Sequence, residues 1–243
     1  MPRYKLTVEY AGTRYSGWQI QQNAKTVQGE LVRAIREATG AKPFETYGSG
    51  RTDAGVHALG QVMHVDLPMT LPPRTLVTRI NDALPADINV LDAERMSPRF
   101  HARHSARARH YRYQISTRRT AFDKPYVWWV REPLDVDRMR QAAAALTGFA
   151  DFRAFTDDDP EEKSTTVLLS ALTITEAPPL IVIGVSGSHF LWKMVRRIVG
   201  VLAEVGRGGL EPEAVARLLN TTSDLPPKLT APASGLFLER VDY

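Results

Sequence analysis

Over the first hundred residues, β-rich runs and helix-like runs follow one another in the order β-α-β-β-α-β, an order that few small folds accept. Tyr4 to Tyr10 reads as a strand that meets Ala11-Gly12-Thr13 and a polar, Gln-rich loop to Asn23. Thr26 stands as a cap before Val27, Leu31, Ile35 and Ala38, which recur at near-helical spacing, and Gly40 stands where a C-terminal cap belongs. Phe44 to Gly48 reads as a second strand. Beyond the glycine-interrupted stretch from Gly48 to Gly60, Val62 to Leu67 partly alternates as a third. Pro72-Pro73 opens a helix ending near Leu84-Pro85, and Ile88 to Met96 supplies another strand.

The second half is related in kind. Ala108 to Ser116, Val167 to Thr175 and Leu180 to Ser186 read as strands, and Asp135 to Thr147, Phe190 to Val205 and Glu211 to Asn220 as helices. A last strand, Gly235 to Val241, closes the chain. These patterns predict an α+β protein of two ferredoxin-like, RRM-like halves with mostly antiparallel sheets. The division expected is 1–104 and 105–243, with the boundary near Phe100 to Ser105.

The chain has no Cys, which removes disulfides, thiolate nucleophiles and Cys-based zinc sites and favours a reducing compartment. No apolar run follows Met1-Pro2-Arg3-Tyr4-Lys5, and the apolar stretches Leu180 to Val185 and Leu191 to Val205 fall short of a membrane span. A cytoplasmic protein without membrane association is expected. The 31 Lys and Arg exceed the 27 Asp and Glu, a basic balance that favours a polyanionic partner.

Three segments carry chemistry. Arg95 to Arg119 holds eight arginines and no carboxylate. Strand alternation there predicts Arg107, Arg109, Tyr111 and Tyr113 on one face and Ala108, His110 and Arg112 on the other. Guanidiniums beside phenol rings suit phosphates and stacked bases, while a solvated basic edge strand is the structural alternative. In the second segment, Gly48 to Ala58, three glycines and small neighbours surround Asp53. A nearby cation keeps such a carboxylate ionised, and small residues leave room for a substrate, so Asp53 is either a nucleophile or base, or a turn cap paired with Arg51.

The third segment runs from Ser188, a plausible N-cap, to Leu202. Leu191, Val195, Ile198 and Leu202 form a buried stripe, and His189, Lys193, Arg196 and Gly200 repeat that spacing on another face. Lys193 and Arg197 are either solvated charges or phosphate contacts, and Gly200 lets Arg196 lie close to another segment. Metal spacing is absent: His57 and His64 are seven residues apart, and Asp157-Asp158-Asp159 reads as a solvated acidic loop. Trp128-Trp129 and Phe149 to Phe155 read as core or interface aromatics.

Taken together, these residues resemble the tRNA pseudouridine synthase I (TruA) family. Gly50-Arg51-Thr52-Asp53-Ala54-Gly55-Val56-His57-Ala58 is similar to that family's catalytic loop. The opening Val8 to Gln19, Phe100-His101-Ala102-Arg103, Ala108 to Tyr113, Phe190-Leu191 through Arg196, and Ala231-Pro232 through Leu236 match in family order and span nearly the whole chain. Departures are modest: Ala150 stands where the family usually has His, and Trp192-Lys193 occupies a variable pair.

The resemblance implies an isomerase, free of cofactor and metal, that converts uridine to pseudouridine at positions 38, 39 and 40 of the tRNA anticodon stem-loop. By the same resemblance Asp53 is the nucleophile, and Arg51 beside it helps hold the flipped target. Tyr111 stacks on the uracil, and Arg196 pairs with the aspartate. The arginines around Tyr111, including Arg109, together with Arg14, Lys193 and Arg197, then hold phosphates. Two α+β halves meeting across a basic cleft, and a homodimer, are also implied. The rivals are a non-catalytic RNA-binding module and an RNA-cleaving hydrolase using Asp53 and His57.

Overall fold

A computed structural model describes residues 1–243 and contains ten strands and six α-helices. In chain order these are β1 (Arg3–Tyr10), α1 (Val27–Thr39), β2 (Thr46–Gly48), β3 (His57–Asp66), α2 (Pro73–Ala83), β4 (Ile88–Met96) and β5 (Ala108–Ser116). There follow β6 (Trp128–Trp129), α3 (Val136–Ala144), β7 (Gly148–Asp151), β8 (Thr166–Ala177), β9 (Leu180–Gly187), α4 (Met194–Gly206), α5 (Pro212–Ala216), α6 (Leu225–Lys228) and β10 (Leu236–Asp242). The protein is therefore α+β: β1 pairs antiparallel with β3 and β4, β2 with β3, β9 with β5 and β8, and β7 with β8, while β3 with β10 and β5 with β6 run parallel. No helix is long and apolar enough to cross a membrane.

The chain forms two compact units, one of residues 1–107 with 237–243 and one of residues 108–236. In the first, β3 is the central strand, with β1 and β2 paired antiparallel to it and β4 antiparallel to β1. Alternation along β1 buries Tyr4, Leu6, Val8 and Tyr10, while β3 is buried on both faces over most of its length. Thr26 accepts a hydrogen bond from the Gly29 N–H, and Gly40 takes the left-handed conformation (φ 68°), so α1 begins and ends where the sequence marks it. Its Leu31 and Ile35 join Leu76 and Ile80 of α2 in the core, each such burial being worth about 1.5–3 kcal/mol.

The last strand returns to this first unit. Phe237 pairs with His57 and Leu238 with Ala58, parallel to β3, and the Tyr243 hydroxyl donates to the Ala102 carbonyl at 2.7 Å. The sequence division grouped this strand with the second half, because a parallel pairing across 180 positions leaves no local signal.

In the second unit β5, β9, β8 and β7 form an antiparallel meander, and β6 lies parallel to the end of β5. Eleven of the thirteen residues of α4 are buried, which makes this helix the core of the unit. Its start differs from the expectation: Lys193, at φ 60°, is the residue before the helix, and Ser188 caps nothing. Residues 188–193 instead continue from β9, where the Ser188 N–H donates to the Leu168 carbonyl at 3.0 Å. His189 therefore does not share a helical face with Arg196. The expected helix from Glu211 to Asn220 is shortened to α5, and the aromatic pair Trp128-Trp129 and the segment Gly148–Asp151 form strands that periodicity did not show.

Candidate active site

In the first unit, the loop carrying Asp53 is held by backbone contacts on both flanks. The Ser49 N–H donates to the Val62 carbonyl at 2.7 Å, and the Ser49 hydroxyl to Gln61 Oε1 at 2.6 Å. Gln61 in turn donates to the Gly50 carbonyl at 3.2 Å, so one buried amide anchors the loop's entry. Thr52 is fixed twice: the Trp18 N–H donates to its carbonyl at 3.0 Å, and its hydroxyl lies 2.8 Å from the Tyr10 hydroxyl. The Val56 N–H donates to the Asp53 carbonyl at 3.2 Å, closing a turn through Gly55 at φ 79°.

Two glycines outside the loop make this packing possible. A Cβ on Gly12 would lie 1.9 Å from the Val56 carbonyl oxygen, and one on Gly17 would lie 2.7 Å from that of Thr52. The polar segment after β1 is thus a strap laid against the loop. Asp53 itself is half-buried between the buried Thr52 and the exposed Ala54. Arg51 is exposed on the same loop, and Arg14 is exposed on the 3-10 turn Gly12–Arg14 of the strap.

The two histidines near the loop are structural. His57 is 1% exposed, accepts the Gly12 N–H on Nδ1 at 3.0 Å and stacks on Phe237 at 4.7 Å between centroids. A hydrolase that used it as a general acid or base would find it out of reach of substrate. His64 accepts the Ala102 N–H at 3.1 Å, and burial, with Arg3 and His101 nearby, lowers its pKa to about 4.

In the second unit, β5 carries Arg109 and Tyr111. Arg109 donates to the Ser188 carbonyl at 2.8 Å, and the half-buried Tyr111 ring meets Phe190 edge to face at 4.9 Å. Strand and following segment thus fix each other, and Phe190 orients Tyr111. Tyr113, expected on the same display face, is instead fully buried, with its hydroxyl donating to the Pro232 carbonyl at 2.8 Å. Burial pushes its phenol well above the ordinary tyrosine range. Bulk and apolar surroundings take the second tyrosine inward where the strand approaches the core.

Arg196 is half-buried on the first turn of α4. Its Nε donates to the Ala231 carbonyl at 2.7 Å, and its own carbonyl accepts the Ala231 N–H at 3.0 Å. The backbone of Ala231 therefore holds Arg196 at both its carbonyl and its Nε. Arg197 corrects the sequence expectation of a solvated or phosphate-bound cation: its side chain is 3% exposed and forms an ion pair with Asp157. Its Nε and Nη1 are buried without hydrogen-bond partners, so it faces the core rather than a ligand at the surface. Lys193 is a third exposed, donates to Asp157 at 2.9 Å and lies 4.4 Å above the Trp192 ring.

The acidic run is likewise not a solvated loop. Asp157 holds Lys193 and Arg197, while Asp158 accepts from Lys163 at 2.9 Å and from the Trp192 N–H at 3.1 Å. Hydrogen bonds from Lys193 and Arg197 keep Asp157 below the usual carboxylate range. Nothing in the spacing of these aspartates signalled their bonds to Trp192, Lys193 and Arg197, which lie more than thirty positions away.

Of the expected site residues, Asp53, Arg51 and Arg14 thus belong to the first unit, and Tyr111, Arg109, Lys193, Arg196 and Arg197 to the second. A family model described as tRNA pseudouridine synthase matches residues 6–105 and 142–243. The curated tRNA pseudouridine synthase A of Moorella thermoacetica is 41% identical over 247 residues, covering all of both chains. That of Bradyrhizobium sp. strain BTAi1 is 42% identical over 246 residues, again covering both completely. That of Maricaulis maris is 42% identical over 246 residues, covering all of this chain and 98% of the relative.

Proposed function

The chain belongs to the tRNA pseudouridine synthase family, and on that premise we propose that it isomerises uridine to pseudouridine at positions 38, 39 and 40 of the tRNA anticodon stem-loop, with Asp53 as nucleophile. The observation that carries the assignment to Asp53 is its loop: a half-buried carboxylate among small residues, held by backbone hydrogen bonds to Trp18 and Val62. Such a mounting fixes the carboxylate before substrate arrives, which lowers the cost of reaching an in-line geometry.

The reaction moves ribose C1′ from N1 to C5 of the same uracil, with a proton lost from C5 and one gained at N1. Atoms and electrons balance within the substrate. Arg51 holds the extruded nucleotide, Tyr111 stacks on the uracil, and Arg196 pairs with Asp53 to keep it ionised. The clamp from Ala231 on one side of Arg196 supports that role, since it limits the directions in which the guanidinium can donate. Arg14, Arg109 and Lys193 hold backbone phosphates, and Arg197, being buried, acts by supporting α4. The protein works in the cytoplasm as a homodimer.

Purified protein incubated with unmodified tRNA, without added metal or nucleotide, should yield pseudouridine at positions 38 to 40 of uncleaved RNA when mapped base by base. Pseudouridine confined to other positions, or shortened RNA, would refute the assignment.

A further inference from the structure

The loop that follows β5 bears cations and an aromatic ring that the reaction does not use. Phe122 is 91% exposed, the most exposed large apolar side chain in the protein, and Tyr126 is 40% exposed. Arg118, Arg119 and Lys124 are exposed on the same ten-residue turn, 117–126. The stretch 106–141, which contains this turn, lies between the two segments that the family model matches.

The turn is held in shape from within. The Thr117 N–H and hydroxyl donate to the Pro179 carbonyl at 2.9 and 3.0 Å, and the Ser116 hydroxyl donates to the Arg118 carbonyl at 2.7 Å. Thr120 and Asp123 bond each other twice, side chain to side chain at 3.1 Å and Asp123 N–H to hydroxyl at 3.2 Å. Asp123, the only carboxylate of the turn, is thereby occupied, while Arg118 and Arg119 are exposed and form no ion pair with it. Behind the turn a shallow hollow of about 280 Å³ is bounded by Gln114, Arg118, Tyr126 and Leu180.

A phenyl ring held in solvent on a braced turn, beside three exposed cations that form no ion pair with a carboxylate, offers a stacking face and phosphate contacts on one surface. Phosphates with an unpaired base satisfy every element of this surface: the cations take the backbone, and the ring takes a base face. We infer that the 117–126 turn is a second RNA-contacting surface, on which Arg118, Arg119 and Lys124 bind phosphates and Phe122 stacks on an unpaired nucleotide of the substrate outside its anticodon arm. This rests on the proposed tRNA substrate.

The test uses the full chain with Phe122→Ala and with Arg118→Ala/Arg119→Ala, both at exposed positions. Kinetics are measured on full-length unmodified tRNA and on an isolated anticodon stem-loop, alongside direct tRNA binding across a salt series. Each variant should raise KM on full-length tRNA about tenfold with kcat unchanged, and leave stem-loop kinetics unaltered. The double variant should also flatten the slope of log affinity against log salt by about 2. Unchanged affinity for full-length tRNA, an equal loss on the stem-loop, or a fall in kcat alone would overturn the inference. So would dissociation of a dimer by Phe122→Ala in sedimentation, since the ring would then be covered by a second copy. If the wild type forms no pseudouridine, the functional proposal fails, while the binding and salt measurements still decide whether this turn holds RNA.

Discussion

Gly200 lies one turn beyond Arg196 on α4, and a Cβ at that position would sit 1.6 Å from the Leu229 carbonyl oxygen. The hydrogen that stands there admits the 229–231 segment against the helix, and that segment grips Arg196 from both its carbonyl and its Nε. Gly200→Ala should therefore cost about 1–3 kcal/mol of stability by overpacking, and should lower kcat more than substrate affinity by releasing the Arg196 guanidinium. Thermal unfolding and steady-state kinetics on tRNA check this, and a variant with wild-type kcat would show that the clamp is dispensable. The small residue next to Arg196 was legible in the sequence as a place for close approach. Its partner was not, since Leu229 to Ala231 carries no periodicity that points to α4. Arg197 misled for a related reason: a charged residue in a helical run reads as exposed, and only the position of Asp157 explains its burial.

At the scale of elements, the start of α4 depends on the acidic clasp. Asp157 binds Lys193, the residue before the helix, and Arg197 in its first turn, and Asp158 accepts the Trp192 N–H just ahead of them. Because pairing lowers the folded-state pKa of Asp157 below its unfolded value of 3.8, its stabilisation is fully present above that value and is lost as pH falls through the folded pKa. Asp157→Asn should cost about 1–3 kcal/mol at neutral pH, less than for a fully enclosed pair because the carboxylate is a third open to water. Its Tm should then fall less steeply than the wild type's as the solution is acidified below pH 4. Parallel Tm curves for the two proteins would contradict the clasp. The strands and helices with strong periodicity, among them β1, α1, β4 and β5, lie where the sequence placed them within a residue or two. The start of α4 does not, because Lys193 adopts a left-handed conformation that apolar spacing cannot reveal.

Across the whole molecule, the C-terminal strand closes the unit that begins at the N-terminus. Phe237 stacks on His57 and pairs with it in register, Tyr243 reaches Ala102, and the Arg107 N–H donates to the Asp242 carbonyl at 2.8 Å. Removal of residues 237–243 should therefore unfold or loosen residues 1–107, read as faster amide exchange in β3, although the deletion lies far from them in sequence. Unchanged exchange in β3 would show that the last strand is only appended. The Asp53 loop leads directly into that same β3, so its geometry rests on contacts with both ends of the chain. Asp53 is the centre of the proposed chemistry, and the direct measurement is single-turnover pseudouridine formation by Asp53→Asn alongside its affinity for the same tRNA. Loss of activity by roughly a thousandfold or more, with tRNA affinity held within about threefold, is the predicted result. Pseudouridine formation by the variant within tenfold of the wild-type rate would contradict the assignment of Asp53 as the nucleophile.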